Sequence, residues 1–215
     1  MRFDAYGIII SLPVIVLALT VHEYAHALVA DRLGDRTARQ AGRLTLEPWA
    51  HLDPIGLLMI VFYRFGWARP VPVNPANMRH PVKGLAISAM AGPAANLIMS
   101  FLFALLLVGN VAGLAGPAVS GHLDGMISAG LMINARLVVF NLLPLPPLDG
   151  SRVAAWLLPV GRWPWWPTLE TYGPLLLLLL LATGAGGYLI GVPATALIQG
   201  IYQLAFGLAR LVGLG

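Results

Sequence analysis

Residues 8–30 read IIISLPVIVLALTVHEYAHALVA, and this stretch decides the fold. About 20 apolar residues in a helix cross the roughly 30 Å hydrocarbon layer of a membrane, and this run is long enough. Its only strongly polar groups are His22, Glu23 and His26, in the pattern HExxH. On an α-helix, positions i and i+4 share one face, so His22 and His26 can grip one metal ion. Glu23 lies one position round, within reach of a proton on a metal-bound water. Chance HExxH patterns fall mostly on polar, soluble helices. In hydrocarbon a charged residue costs roughly 2.5–3.5 kcal/mol on insertion scales, so the motif here marks a functional site.

Composition agrees with a membrane setting. Of 215 residues, 58% are hydrophobic and 10% charged, against about 25% charged in a soluble domain. The mean hydropathy is +0.79. The length predicts one domain over 1–215, with a core at about 5–165 and a C-terminal helical pair at 171–211. There is no cysteine, so disulfides and thiolate ligands are excluded. A transition metal would be held by His and carboxylate, which suits zinc. The net charge of +4 sits mostly in a few loops, a pattern of membrane orientation rather than nucleic-acid binding. Arg2 before an apolar run resembles a signal peptide, but the run is too long and lacks a small-residue cleavage site before HExxH.

The chain divides into an all-α, polytopic scheme of about five to six transmembrane helices. The first covers about 5–33, with Gly34 as C-cap. Residues 43–46, Arg-Leu-Thr-Leu, alternate like a short strand. Residues 53–66 are apolar but too short to span. Pro70, Pro72, Pro75 and Pro81 make 67–82 an extended loop or edge strand. Further spans are predicted at 83–111, 125–143, 171–187 and 188–211, the last two joined at 184–187. Segments 32–43, 69–83 and 152–162 are basic, whereas 112–124 has no Lys or Arg, so the basic segments are cytoplasmic. Basic flanks on both sides favour a 53–66 segment that re-enters, with a short, true span as the alternative. His22 lies ten residues before Arg32, about 15 Å from the cytoplasmic edge at 1.5 Å per residue.

Catalytic zinc takes three protein ligands and a water. Beyond the HExxH pair, the candidates are His51, His80, His122, Asp53, Asp124, Asp149 and Glu170. His122 and Asp124 fall on the opposite face, and His51 and His80 read as loop or interface histidines. Asp149 closes the apolar run Asn141-Leu-Leu-Pro-Leu-Pro-Pro-Leu-Asp149-Gly150. Its prolines unwind the chain and allow a side chain to be aimed inward. The alternative for Asp149 is an N-cap of the next helix.

HEYAH at 22–26, Gly92-Pro93-Ala94-Ala95-Asn96 and the Asn141–Gly150 run together resemble the site-2 protease family (peptidase family M50) of intramembrane zinc metalloproteases. Residues 66–73 and His51-Leu-Asp-Pro54 are similar to its small members, and the resemblance covers roughly 8–165. It implies one zinc held by His22, His26 and Asp149, with Glu23 as the base that activates water. It implies Asn141 near the metal, positioning the scissile peptide or its oxyanion. Asn96 becomes a substrate-binding candidate, with helix–helix hydrogen bonding as its alternative. It also implies a membrane-associated β structure between the first two core helices, within 43–80, that holds an unwound substrate by strand addition. The segment 112–124 is too short for a PDZ domain, which points to the small form. The expected setting is a multi-pass protein of the plasma or inner membrane, acting on membrane-protein substrates nearer the cytoplasmic side.

Other residues have structural readings. Leu175–Leu181 reads as lipid-facing, Trp163, Trp165 and Trp166 as interface anchors, and Gly84 and Gly92 as sites of close helix packing. Arg136 is expected to face inward or to pair with Glu170 or Asp124. Two other functions fit part of the pattern. A metal transporter needs ligands along a path across the bilayer, and the later spans offer few. An inactive scaffold would not need Glu23.

Overall fold

The computed structural model describes residues 5–63, 66–111, 120–160 and 163–211. Eight α-helices occur among them: α1 (Ala5–Arg32), α2 (Thr37–Gln40), α3 (Pro54–Tyr63), α4 (Pro81–Val111), α5 (Ser120–Asn141), α6 (Asp149–Leu157), α7 (Trp166–Ala182) and α8 (Ala185–Leu211). Four of them, α1, α4, α5 and α8, are long and apolar enough to cross a membrane. Helix α7, with 17 residues, is shorter. The predicted five to six spans therefore reduce to four clear ones among the described residues. Residues 112–119 and Arg162, part of the charge argument, lie outside the described residues.

Helix α4 is the axis of the bundle and packs on α1, α5, α6 and α8. Gly84, Ser88, Gly92, Asn96, Ser100, Ala104 and Val108 are all buried, one every four residues. Such an i+4 row is a ridge along which helices pack, and small residues in it let backbones approach closely. Its lower end, Ala104 and Val108, meets Leu131 of α5 and Ile201, Ala205 and Ala209 of α8 in an apolar core. Its middle is polar: the Ser100 hydroxyl donates to the Leu131 carbonyl at 3.0 Å. In lipid there is little hydrophobic drive between helices, so such packing and hydrogen bonds supply the association. The opposite faces carry exposed Ile98, Leu102 and Leu106, and Leu175, Leu176, Leu178 and Leu179 on α7. Arg136 is exposed on α5 rather than turned inward. Glu170 faces Arg152 at 3.8 Å instead.

Between α1 and α4 the expected β structure within 43–80 is not seen among the described residues. Among the described residues there is no strand, only an antiparallel bridge between Leu52 and Ala68. Residues 43–46 are irregular despite their alternation. Pro70 and Pro72 supply no N–H, so a ladder cannot extend past Arg69. Helix α3 has ten residues, about 15 Å of helix, half of what a crossing needs. Its start is capped by Asp53, whose Oδ1 accepts from the Ile55 and Gly56 amides at 2.9 and 2.8 Å.

A polar knot ties this segment to the end of α1. Gly34 has φ +108°, a left-handed C-cap that suits glycine. The Asp35 amide then bonds back to the Ala30 carbonyl at 3.0 Å. The Asp35 side chain is fully buried. Its Oδ1 accepts from the Thr37 amide at 3.1 Å, the Thr37 hydroxyl at 2.5 Å and the Asn77 side chain at 2.9 Å. Its Oδ2 accepts from the Asn74 amide at 2.6 Å. Burial pushes the Asp35 pKa up, but these hydrogen bonds outweigh it and hold the carboxyl below its ordinary 3.8. Asp35→Ala leaves buried donors unpaired and is expected to cost about 1–3 kcal/mol, measured as a lower melting temperature in detergent. A depressed native pKa makes this contribution complete above the unfolded value and lost as pH falls through the native one. The difference between wild type and Asp35→Ala should therefore shrink on acidification below about 3.8.

Candidate metal centre

The HExxH histidines lie on the inner face of α1, His22 5% and His26 9% exposed. Their Nε2 atoms are 3.0 Å apart. Helix α5 ends at Asn141, and the prolines at 144, 146 and 147 carry the chain round until α6 begins at Asp149. The Leu148 amide bonds to the Leu145 carbonyl at 2.9 Å, and the Ser151 hydroxyl donates to the Leu148 carbonyl at 2.7 Å, closing this turn. It places Asp149 Oδ2 3.3 Å from both His22 Nε2 and His26 Nε2. Asp149 Oδ2 is buried and has no hydrogen-bond partner. Among the described residues, His22, His26 and Asp149 are the group that can hold a metal.

The far sides of both rings determine their protonation. Asn96 Nδ2 donates to the Ala18 carbonyl at 3.2 Å and to Asn134 Oδ1 at 2.8 Å, so its Oδ1 is an acceptor. His22 Nδ1 therefore donates to Asn96 Oδ1 at 2.5 Å. His26 Nδ1 donates to the Ser88 carbonyl at 2.7 Å. With Nδ1 as the donor in each, the neutral form of either ring turns an Nε2 lone pair toward Asp149 Oδ2. Three lone-pair donors converging in a buried space repel one another unless a cation lies between them. Ligands about 2.0–2.1 Å from a tetrahedral zinc are about 3.3 Å apart, which the 3.0, 3.3 and 3.3 Å separations match. The residues present fit zinc, and the outer hydrogen bonds orient both imidazoles as such sites require.

Gly92 makes the approach possible. A Cβ at this position of α4 would overlap both imidazole rings. Asn96 is fully buried behind His22 and does not line the adjoining cavity. That cavity, about 600 Å³, is lined by His22, Glu23, His26, Val71, Asn141 and Asp149, among others. Glu23 is half-buried, and its Oε2 accepts from the Val71 amide at 2.9 Å. Asn141 Nδ2 donates to the Leu137 carbonyl at 3.1 Å. Of the other ligand candidates, His51 is fully buried with Nε2 donating to the Thr45 carbonyl at 2.8 Å. His80 is exposed, Asp53 caps α3, and the His122 side chain lies outside the described residues.

A Bacillus subtilis protein named "Putative zinc metalloprotease YwhC" is 42% identical over 178 residues, 82% of this chain and 81% of its own length. The chain belongs to this zinc metalloprotease family. The protease is also 33% identical over 138 residues to Mycolicibacterium smegmatis "Putative zinc metalloprotease Rip2", covering 62% of the chain and 51% of that protein. Methanocaldococcus jannaschii "Putative zinc metalloprotease MJ0611" is 26% identical over 72% of the chain and 74% of its own length. No family model and no solved structure matches. Zinc, proteolysis and a multi-pass membrane setting thus describe the protease.

Ser88, Gly92 and Asp35 were not read as parts of the site or its support from sequence, although Gly92 was read as a packing glycine. The i+4 row of small and polar residues on α4 was the available signal. Gly92→Ala is expected to abolish stoichiometric zinc in the purified protease, measured by elemental analysis. Asn96→Ala, which removes the His22 acceptor, should weaken zinc affinity about 10–100-fold in a chelator competition.

Proposed function

We propose that the protease is a site-2-type endopeptidase that hydrolyses peptide bonds of transmembrane or membrane-proximal segments. The observation that carries this reading is the convergence of His22, His26 and Asp149 on one buried point of a spanning helix. His22 sits ten residues inside the Arg32 end of α1, about 15 Å along the helix. By the charge bias of the loops that end is cytoplasmic, so the reaction takes place nearer the cytoplasmic side.

Zinc held by His22, His26 and Asp149 supplies a Lewis acid that lowers the pKa of water and polarises the scissile carbonyl. Glu23 acts as general base. The Val71 amide fixes its Oε2, and Oε1 takes the proton from the attacking water and passes it to the leaving amine. Asn141, on the cavity wall, donates to the carbonyl oxygen as negative charge develops there. Asn96 orients His22, and Ser88 orients His26, through the Nδ1 hydrogen bonds. The cavity of about 600 Å³ accommodates an unwound stretch of peptide rather than an intact helix, whose diameter is about 10–12 Å.

Zinc content and cleavage of single-span substrates in parallel test the assignment. Wild type should carry one zinc and cleave. Glu23→Gln should retain zinc and lose roughly 10²–10⁴ in rate, and Asp149→Ala should lose most of its zinc. Full zinc in Asp149→Ala would remove Asp149 from the ligand set.

A further inference from the structure

Arg43 is a buried charge that the reaction described above does not use. It follows α2 and is 8% exposed. Its Nη2 donates to the Arg69 carbonyl at 2.6 Å, while its Nε is buried without a partner. A buried guanidinium loses hydration that one hydrogen bond does not replace. Burial and the neighbouring Arg69 cation hold its pKa below the ordinary arginine value, and the charge opposing them is Glu23. Arg43 thus holds, at Arg69, the segment whose neighbours Ala68, Pro70 and Val71 line the cavity of the metal centre.

The backbone explains the connection. The Arg69 amide donates to the His51 carbonyl at 2.8 Å, so the Arg69 residue is held on its N–H by His51 and on its C=O by Arg43. His51 is itself held through its ring to Thr45. Two residues on, the Val71 amide donates to Glu23 Oε2. Pro70 and Pro72 have no N–H, so Val71 is the sole backbone donor between Arg69 and Val73. The Val71 side chain packs with Ala27 of α1, Ala38 of α2 and Leu44, next to Arg43. The donor to Glu23 is therefore seated by Arg43, by His51 and by this small apolar cluster.

We propose that Arg43 is a positioning residue for the general base. By anchoring the Arg69 carbonyl it sets the backbone that carries the Val71 N–H, which holds Glu23 Oε2 and leaves Oε1 for water. The proposal rests on Glu23 as the base. Arg43 is not among the residues lining the cavity of the metal centre, so its loss is expected to act on turnover rather than on zinc or substrate affinity.

The test uses the full chain in bilayer nanodiscs, with zinc content, kcat, KM and hydrogen exchange of the 66–74 peptide as readouts. Arg43→Met keeps the aliphatic stem and removes the cation. It should retain one zinc, keep KM within about twofold and lose roughly 10–100-fold in kcat, the scale of a 1 Å misplacement. Amide exchange in 66–74 should accelerate. Arg43→Lys should restore part of kcat. Val71→Pro removes the N–H together with the valine packing on Ala27 and Ala38 and should lower kcat at least as much as Arg43→Met. The double variant should be no slower than Val71→Pro, because both changes act through one bond. Should Arg43→Met fail to fold, Arg43→Lys and Val71→Pro carry the test. Wild-type kcat in Arg43→Met beside an inactive Glu23→Gln overturns the proposal alone, as does multiplication of the two losses. Wild-type cleavage by Glu23→Gln overturns the base assignment and the proposal with it, whatever Arg43→Met does.

Discussion

Two imidazoles and a carboxylate share one buried point within a spanning helix bundle, and every nearby feature answers that constraint. A polar group in hydrocarbon must be hydrogen-bonded or bound to a cation, because water is not there to solvate it. The Nδ1 atoms are satisfied by Asn96 and Ser88, both on α4. The Nε2 atoms and Asp149 Oδ2 are left facing one another. That division of each ring into a satisfied side and an open side suits a group that can hold a metal ion. It also fixes which nitrogen of each ring faces α4 and which faces Asp149.

Helix α4 is the element through which the constraint spreads. One row of its residues supplies, in order, a glycine near the Met78 side chain, the Ser88 carbonyl, the gap at Gly92 and the Asn96 carboxamide. Asn96 passes the interaction on to Asn134 of α5, which is anchored to the Gly130 carbonyl at 2.8 Å. The metal centre and the helix–helix interface are therefore the same set of contacts. A change on α4 acts on both, since close approach and hydrogen bonding hold membrane helices together.

The segment between α1 and α4 plays a different part. It is built of short turns held by side chains rather than by a ladder: Asp35 gathers Thr37, Asn74 and Asn77, and Arg43 grips the Arg69 carbonyl. Asp31 and Arg39 add a two-bonded ion pair at 2.7 and 2.8 Å. Prolines at 70 and 72 set its extended course, and Pro75 opens a short 3-10 turn. The result brings a single backbone donor to Glu23 from outside the helix that carries it.

Local patterns were enough to read the membrane class, the HExxH face and the helix end at Gly34. The same holds for the break between Asn141 and Asp149. Each is written in a short window, as apolar length, i and i+4 spacing, a left-handed glycine or a run of prolines. The apolar stretch at 53–66 is legible only as too short for an ordinary span; that it forms a ten-residue helix is decided by the structure. The alternation at 43–46 corresponds neither to pairing nor to exposure, since Arg43 is buried and Leu46 exposed. There Thr45 and Arg43 spend their polar groups on His51 and Arg69 instead of on a neighbouring strand. Composition and spacing left several carboxylates and histidines open as the third ligand, and family resemblance selected Asp149. Only the packing of α6 and α1 on α4 brings that residue to the histidines. The orientation of the rings by Asn96 and Ser88, and of Glu23 by Val71, was also decided at that level. These contacts join residues 48 to 74 positions apart. No local periodicity encodes such a meeting; it comes from the close approach that Gly92 permits and from the need to pair every buried polar atom.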